Sequence, residues 1–145
     1  MQPTTLALDL EGTLITDAIS CFVRPGVRPF LDWCARAFTR IVIYSAVPDH
    51  YLHQVVEILV EEEDAPAWLA GVAFFHPVER NGTKVKDLDV LGRAGTAVIV
   101  DDYEGYILER QKPWWVGILQ FTPHDDCESD RELENVRREI ERRFF

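Results

Sequence analysis

The run Leu6-Ala7-Leu8-Asp9-Leu10-Glu11-Gly12-Thr13 constrains this chain more than any other stretch. A short, nearly continuous apolar segment ending in acids, Gly and Thr reads as a buried parallel strand with carboxylates at its C-terminal tip. Acids placed there are costly to desolvate unless they serve a purpose. In open α/β sheets, ligands gather outside the carboxyl ends of the strands. An Asp held there can bind a cation or attack phosphorus. Taken alone, Asp9 has a bland alternative as a strand-end cap.

Similar apolar runs recur at Ile41 to Tyr44 and Ala97 to Val100, with shorter strand candidates at Val72 to Phe75 and Ile118 to Phe121. Helical spacing fills the intervals. Pro29 to Phe38 repeats apolar residues at Phe30, Trp33, Cys34, Ala37 and Phe38, and His50 to Val60 carries Leu52, Val55, Val56 and Leu59 on one side. Near the C-terminus, Ser129 and Glu132 have capping-box spacing, followed by the stripe Leu133, Val136, Ile140 and Phe144. This alternation predicts an α/β fold with a mainly parallel sheet, three-layered and Rossmann-like, with flanking helices. Glu11 to Gly26 reads as a short irregular excursion. With 145 residues and no internal repeat or linker, one domain over 1–145 is expected.

Composition narrows the function classes. A net charge of −10 argues against broad binding to a phosphate backbone. The C-terminal arginines alternate with glutamates, as on a solvated helix face. No apolar run approaches a membrane span and no signal-like N-terminus is present, so a soluble, cytoplasmic protein is expected. Cys21, Cys34 and Cys127 are odd in number and far apart, which does not suggest a disulfide framework. His124 and Cys127 have a spacing that metal sites use, but no paired motif accompanies them.

The strand tips in order carry Asp9 and Glu11, then Ser45, then Asp101 and Asp102, with Lys86 before the Asp87-Leu88-Asp89 segment. A parallel sheet puts these tips on one edge. Four carboxylates, a hydroxyl and an ammonium in one crevice match the needs of phosphoryl transfer. A cation relieves repulsion between a carboxylate nucleophile and an anionic ester, and Lys and hydroxyl groups hold the remaining oxygens. Structural alternatives exist for each. Ser45 is a common helix N-cap type, Asp101-Asp102 fits a turn, and Lys84 competes with Lys86. The four His residues share no spacing and read as surface or loop positions.

The chain resembles the haloacid-dehalogenase superfamily of phosphohydrolases, whose first motif is Asp-x-Asp-x-Thr; here it is Asp9-Leu10-Glu11-Gly12-Thr13. Within it, the chain is most similar to the NLI-interacting-factor-like branch, which includes phosphatases of the RNA polymerase II C-terminal domain. Three stretches carry the closer match. They are Arg28-Pro29-Phe30-Leu31, then Ile43-Tyr44-Ser45-Ala46 with Tyr51, and finally Val85-Lys86-Asp87-Leu88 through Leu91-Gly92-Arg93 to Val98-Ile99-Val100-Asp101-Asp102. Two-component receiver domains share such groups, but in the order acidic pair, Asp, hydroxyl, Lys. Here the acidic pair comes last.

The resemblance implies a Mg2+-dependent phosphatase with an aspartyl-phosphate intermediate. Asp9 falls at the nucleophile and metal-ligand position. Glu11 falls at the acid/base position, whose backbone carbonyl also meets the metal. Thr13 steadies the first loop. Ser45 and Lys86 bind phosphate. Asp101 and Asp102 complete the metal site, with Asp102 as the direct ligand. Glu11 departs from the usual Asp. Its extra methylene moves the carboxyl by about an ångström or more, and errors of that size cost orders of magnitude in rate. Three outcomes follow: the same role from a shifted backbone, a slowed hydrolysis, or binding of phosphorylated partners without turnover.

Family members often carry a cap domain over small substrates. Only 14 residues separate Thr13 from Arg28, and 40 separate Ser45 from Lys86. Neither gap holds a full cap, so an open site for a phosphoprotein or a nucleic-acid end is expected, the negative charge favouring protein. Trp114 and Trp115 fit either a recognition surface or core packing.

Overall fold

The computed structural model of the protein describes residues 2–122 and 127–145. Strands β1 (Thr5–Leu8), β2 (Arg40–Tyr44), β3 (Ala73–Phe75), β6 (Ala97–Asp101) and β7 (Trp115–Gly117) form one sheet in the order β3-β2-β1-β6-β7. Every pairing in it is parallel. The fully buried run Leu6 to Leu8 therefore occupies the centre, with neighbours on both edges, as its unbroken hydrophobicity requires. A separate antiparallel hairpin pairs β4 (Val78–Arg80) with β5 (Thr83–Val85).

Alternation along the strands divides the core in two. Leu6, Leu8, Ile43, Val98 and Val100 face one side with residues of all three α-helices: α1 (Val27–Ala37), α2 (Asp49–Glu61) and α3 (Glu132–Phe144). Ala7, Val42, Tyr44 and Ile99 face the other. That second face is covered by Leu88, Leu91 and Ile107, with Tyr106, Trp114 and Trp115 packed against them, and much of this segment is 3-10 helix. The expected α/β architecture of a parallel sheet flanked by helices is borne out. Among the described residues, no helix is long and apolar enough to cross a membrane.

Two local expectations are corrected. The last strand is Trp115–Gly117, not Ile118 to Phe121. Past Gly117 the backbone groups find other partners: Leu119 O accepts from Arg24, Leu119 N donates to Glu132, and Phe121 N donates to Gly12 O. The start of α3 uses Asp130 instead of a Ser129–Glu132 box. Asp130 Oδ1 accepts from Glu132 N at 3.0 Å, while the Glu132 carboxylate is occupied by Leu119 and Asn135. His124 lies outside the described residues, so its spacing to Cys127 has no structural counterpart here.

Candidate active site

The ladder between β1 and β6 continues one bond past the named strands, with Asp9 N donating to Val100 O at 3.0 Å. That bond fixes the Asp9 backbone at the sheet's carboxyl edge. The chain then turns sharply. Leu10 O accepts from Thr13 N, Leu14 N and Ile15 N, and Gly12 adopts φ 79°. A Cβ on Gly12 would lie 2.5 Å from Asp102 Oδ2, so this turn needs glycine both for its torsion and for the approach of Asp102.

Around this turn the expected groups converge. One Asp9 oxygen accepts from the Lys86 ammonium at 2.8 Å and the other from the Thr13 hydroxyl at 2.8 Å. Lys86 also reaches Asp101 Oδ2 at 2.5 Å, and Asp101 Oδ1 accepts from Tyr103 N at 2.9 Å. Asp9, Asp101 and Asp102 each bring a carboxylate oxygen within 4.8 Å of the others. Ser45 is buried, and its hydroxyl accepts from Val47 N at 3.1 Å. That leaves the hydroxyl proton as a donor. Ser45 is not the helix cap, because α2 begins at Asp49 behind Pro48. Asp9, Glu11, Ser45, Asp101, Asp102, Tyr103, Tyr106 and Gln120 line one open cleft of about 320 Å³.

Glu11 belongs to the cleft wall, but its carboxylate is engaged elsewhere. Its Oε2 accepts from the backbone N–H of Ala18 at 2.6 Å, seven residues on in the excursion. This excursion is a small closed structure, with bridges from Glu11 to Ile15 and from Ile15 to Val23. The extra methylene thus lets the carboxylate tie the loop to itself.

Burial and crowding shape the electrostatics. Burial pushes Asp101 up to about 6; the Asp9 carboxylate adds to this and Lys86 opposes it. Burial, with Asp9 and then Asp101 alongside, pushes Asp102 up to about 7. For Lys86 burial works against the charge, yet Asp9 and Asp101 outweigh it and hold the ammonium above its ordinary range. The Lys86 ammonium also lies 4.8 Å from the centre of the Tyr106 ring. Lys84 does not enter this network; it is exposed on β5.

Four contributing residues escape the reading of the sequence. Arg24 is almost wholly buried and donates to Gly12 O, Thr13 O and Leu119 O while pairing with Asp130 at 3.1 Å. It braces the Asp9 turn from behind, and a lone Arg within Phe22-Val23-Arg24-Pro25 was the only sign of it. Asp87 and Gln111 brace the chain next to Lys86. Gln111 donates to Asp87 Oδ1 and accepts from Leu88 N, and Tyr44 OH donates to Asp87 O. His76 is not an idle loop residue, since its ring nitrogens contact Ser45 O at 2.7 Å and Asp49 Oδ1 at 2.5 Å. Trp114 and Trp115 are packing residues, partly buried against the second core. Trp115 Nε1 donates to Asp101 O.

The family model of NLI interacting factor-like phosphatases matches residues 4–143. The chain belongs to this family. Its fold is similar to that of the fission yeast RNA polymerase II CTD phosphatase Fcp1, solved as a variant bound to beryllium fluoride. The TM-score is 0.59 at 14% identity, covering 98% of this chain and 50% of that one. A further structure of Fcp1, described as an essential RNA polymerase II CTD phosphatase, gives 0.59 at 13% identity, covering 96% and 49%. At such identities the likeness establishes the fold. The chain spans about half the length of these structures. A search of curated proteins finds no match.

Proposed function

We propose that this protein is a Mg2+-dependent phosphomonoesterase that works in the cytoplasm through an aspartyl-phosphate on Asp9, with a phosphoprotein as substrate. The observation that carries this reading is the convergence of Asp9, Asp101 and Asp102 within 4.8 Å at the sheet edge, with Lys86 bonded to two of them. The donor set is all oxygen, which suits Mg2+. Asp9, Asp102 and the Glu11 backbone carbonyl would hold the ion, with Asp101 behind them carrying Lys86. Bound there, Mg2+ supplies charge neutralisation between the carboxylate and the anionic ester.

The protein groups divide the remaining work. Lys86 and the Ser45 hydroxyl hold phosphate oxygens. Thr13 and Lys86 fix the Asp9 carboxylate. An Asp9 oxygen attacks phosphorus, the ester P–O bond breaks, and the leaving oxygen takes a proton from Glu11. Water then attacks the phosphorus of the aspartyl-phosphate and gives a proton back to Glu11. The bond to Asp9 breaks and phosphate departs. The open cleft without a large cap supports a macromolecular substrate. The protein substrates named for the solved relatives and the net charge of −10 both favour phosphoprotein over nucleic-acid ends.

One observation favours a second reading. With its carboxylate on Ala18 N–H, Glu11 is restrained from proton transfer, as in a module that binds phosphorylated partners with little turnover. Phosphate release from an aryl phosphate, with and without Mg2+, separates the two. The enzyme reading expects Mg2+-dependent release that disappears in Asp9→Asn. Phosphopeptide binding by the wild type with no release under any condition would establish the binding module instead.

A further inference from the structure

We propose that Lys84 forms a second anion subsite beside the catalytic cleft, selecting phosphopeptides that carry another anionic group two residues from the phosphorylated one. The inference rests on the proposed reading of Asp9 and Lys86 as the phosphate site. It starts from a second cavity of about 390 Å³, lined by Ala46, Pro48, Asp49, His76, Pro77 and Lys84. Ala46 lines the catalytic cleft as well, so the two spaces meet at one wall.

Lys84 lies on β5, which ends at Val85, one residue before Lys86. Residues two apart in extended chain point to the same side, with their Cα atoms about 6.6 Å apart. Lys86 turns its ammonium onto Asp9 and Asp101. Lys84, two residues earlier and exposed, lines the adjoining cavity with its cation. Among the described residues it makes no ion pair or hydrogen bond, even though Glu79 stands opposite it in the hairpin register. The cavity's own acid, Asp49, is already bonded to His76.

Charge then gives the cleft a direction. The catalytic half exposes Glu11 and Asp102 with uncharged Tyr103, Tyr106 and Gln120 around them. A second anion on a substrate is repelled there and meets the Lys84 cation on the β5 side. An extended peptide repeats the same spacing, about 6.6 Å for two residues. A phosphate seated at Lys86 therefore leaves the side chain two positions away, on the same face, opposite Lys84. An acidic side chain and a second phosphate offer the same chemistry.

The test compares kcat/KM on a set of phosphoserine peptides in Mg2+. They carry Ala, Glu or a second phosphoserine two residues to either side, with Glu one residue away as the off-face control. The wild type should prefer one of the two-residue acidic peptides over Ala by about three- to fivefold, the size of an exposed ion pair. Lys84→Ala should bring that ratio to one, Lys84→Arg should keep it, and Lys84→Glu should invert it. An effect of phosphoserine without Glu assigns the subsite to a second phosphate. An unchanged ratio in Lys84→Ala, or an equal effect of the off-face Glu, overturns the subsite. Failure of the wild type to release phosphate from any peptide or from an aryl phosphate overturns the enzyme reading alone. The same ratio is then read as peptide dissociation constants.

Discussion

The tips of β1 and β6 each present two acids, and they hold them by different means. On β6 the acids are adjacent, and both bring a carboxylate oxygen within 4.8 Å of Asp9. Asp101 is sealed between Lys86 and Tyr103 N–H, and Asp102 stands over Gly12. On β1 the acids are two apart, yet only Asp9 is tied to the sheet, through Val100 O. Glu11 lies in the turn, and its carboxylate is bound by a backbone N–H of that same loop. Acids fixed by ladder geometry have one place to be. An acid on a loop takes whichever donor its side chain can reach, and one methylene decides which donor that is.

The largest effect should come from breaking what the two tips share. Lys86 is the cation between Asp9 and Asp101, and it is almost fully buried. Lys86→Met leaves three carboxylates facing one another without it. Removing one partner of a buried pair costs about 3–5 kcal/mol, and losing a charge that meets the transferring phosphoryl group costs about 10²–10³ in rate. Denaturant unfolding should show the loss of stability, and added Mg2+ should recover part of it without recovering turnover. Turnover within tenfold of wild type would remove Lys86 from the phosphate site.

A smaller effect, opposite in sign, is expected at Asp102. Its folded pKa is raised to about 7, and that of Asp101 to about 6, from an ordinary value near 3.8. A carboxyl raised on folding favours the folded state while protonated, and this advantage is lost as pH rises through the folded value. Without metal the site therefore becomes destabilising between about pH 4 and 8. Asp102→Asn should then melt a few degrees above wild type at pH 8, with the gap closing toward pH 5. Mg2+ should reverse the order at pH 8, since only the wild type gains stability from the bound ion. Thermal melts at the two pH values, with Mg2+ and with chelator, measure all four arms. A wild type more stable than the Asn variant at pH 8 in chelator would contradict the crowding at this tip.

The same contrast explains what was legible in the sequence. The parallel sheet could be read because Leu6 to Leu8, Val42 to Tyr44 and Ala97 to Val100 are buried on both faces and show it in composition. The preference for Lys86 over Lys84 rests on the resemblance of Val85-Lys86-Asp87-Leu88 to the family's stretch, and the structure separates the two by burial. The last strand was misplaced because Ile118 and Phe121 are buried as a strand's residues would be. What excludes them is that the backbone groups of Leu119 go to Arg24 and Glu132 and the N–H of Phe121 goes to Gly12, which no hydropathy pattern records. Arg24 and His76 were missed for the same reason. Their roles lie in contacts with backbone carbonyls distant in sequence, and a carbonyl has no residue-type signature.

The smallest change in volume addresses the loop acid directly. Glu11→Asp shortens the side chain by one methylene, so the carboxylate no longer spans the distance to Ala18 N–H. The excursion should lose one charge-assisted bond, about 1 kcal/mol at this partly exposed site. The freed carboxylate returns to the cleft, and turnover of aryl phosphates should rise by about tenfold. The gain should be larger for poor leaving groups, which depend most on proton donation. Glu11→Gln separates the two functions. Its amide oxygen still accepts from Ala18, so the melting temperature should stay near wild type, while the loss of the acid lowers turnover on poor leaving groups. A fall in turnover for Glu11→Asp would mean that the longer side chain is the working acid and that its bond to Ala18 opens when substrate binds. Both acids of the β1 tip would then serve the cleft, as both acids of β6 do, with Glu11 taking its place only in the complex.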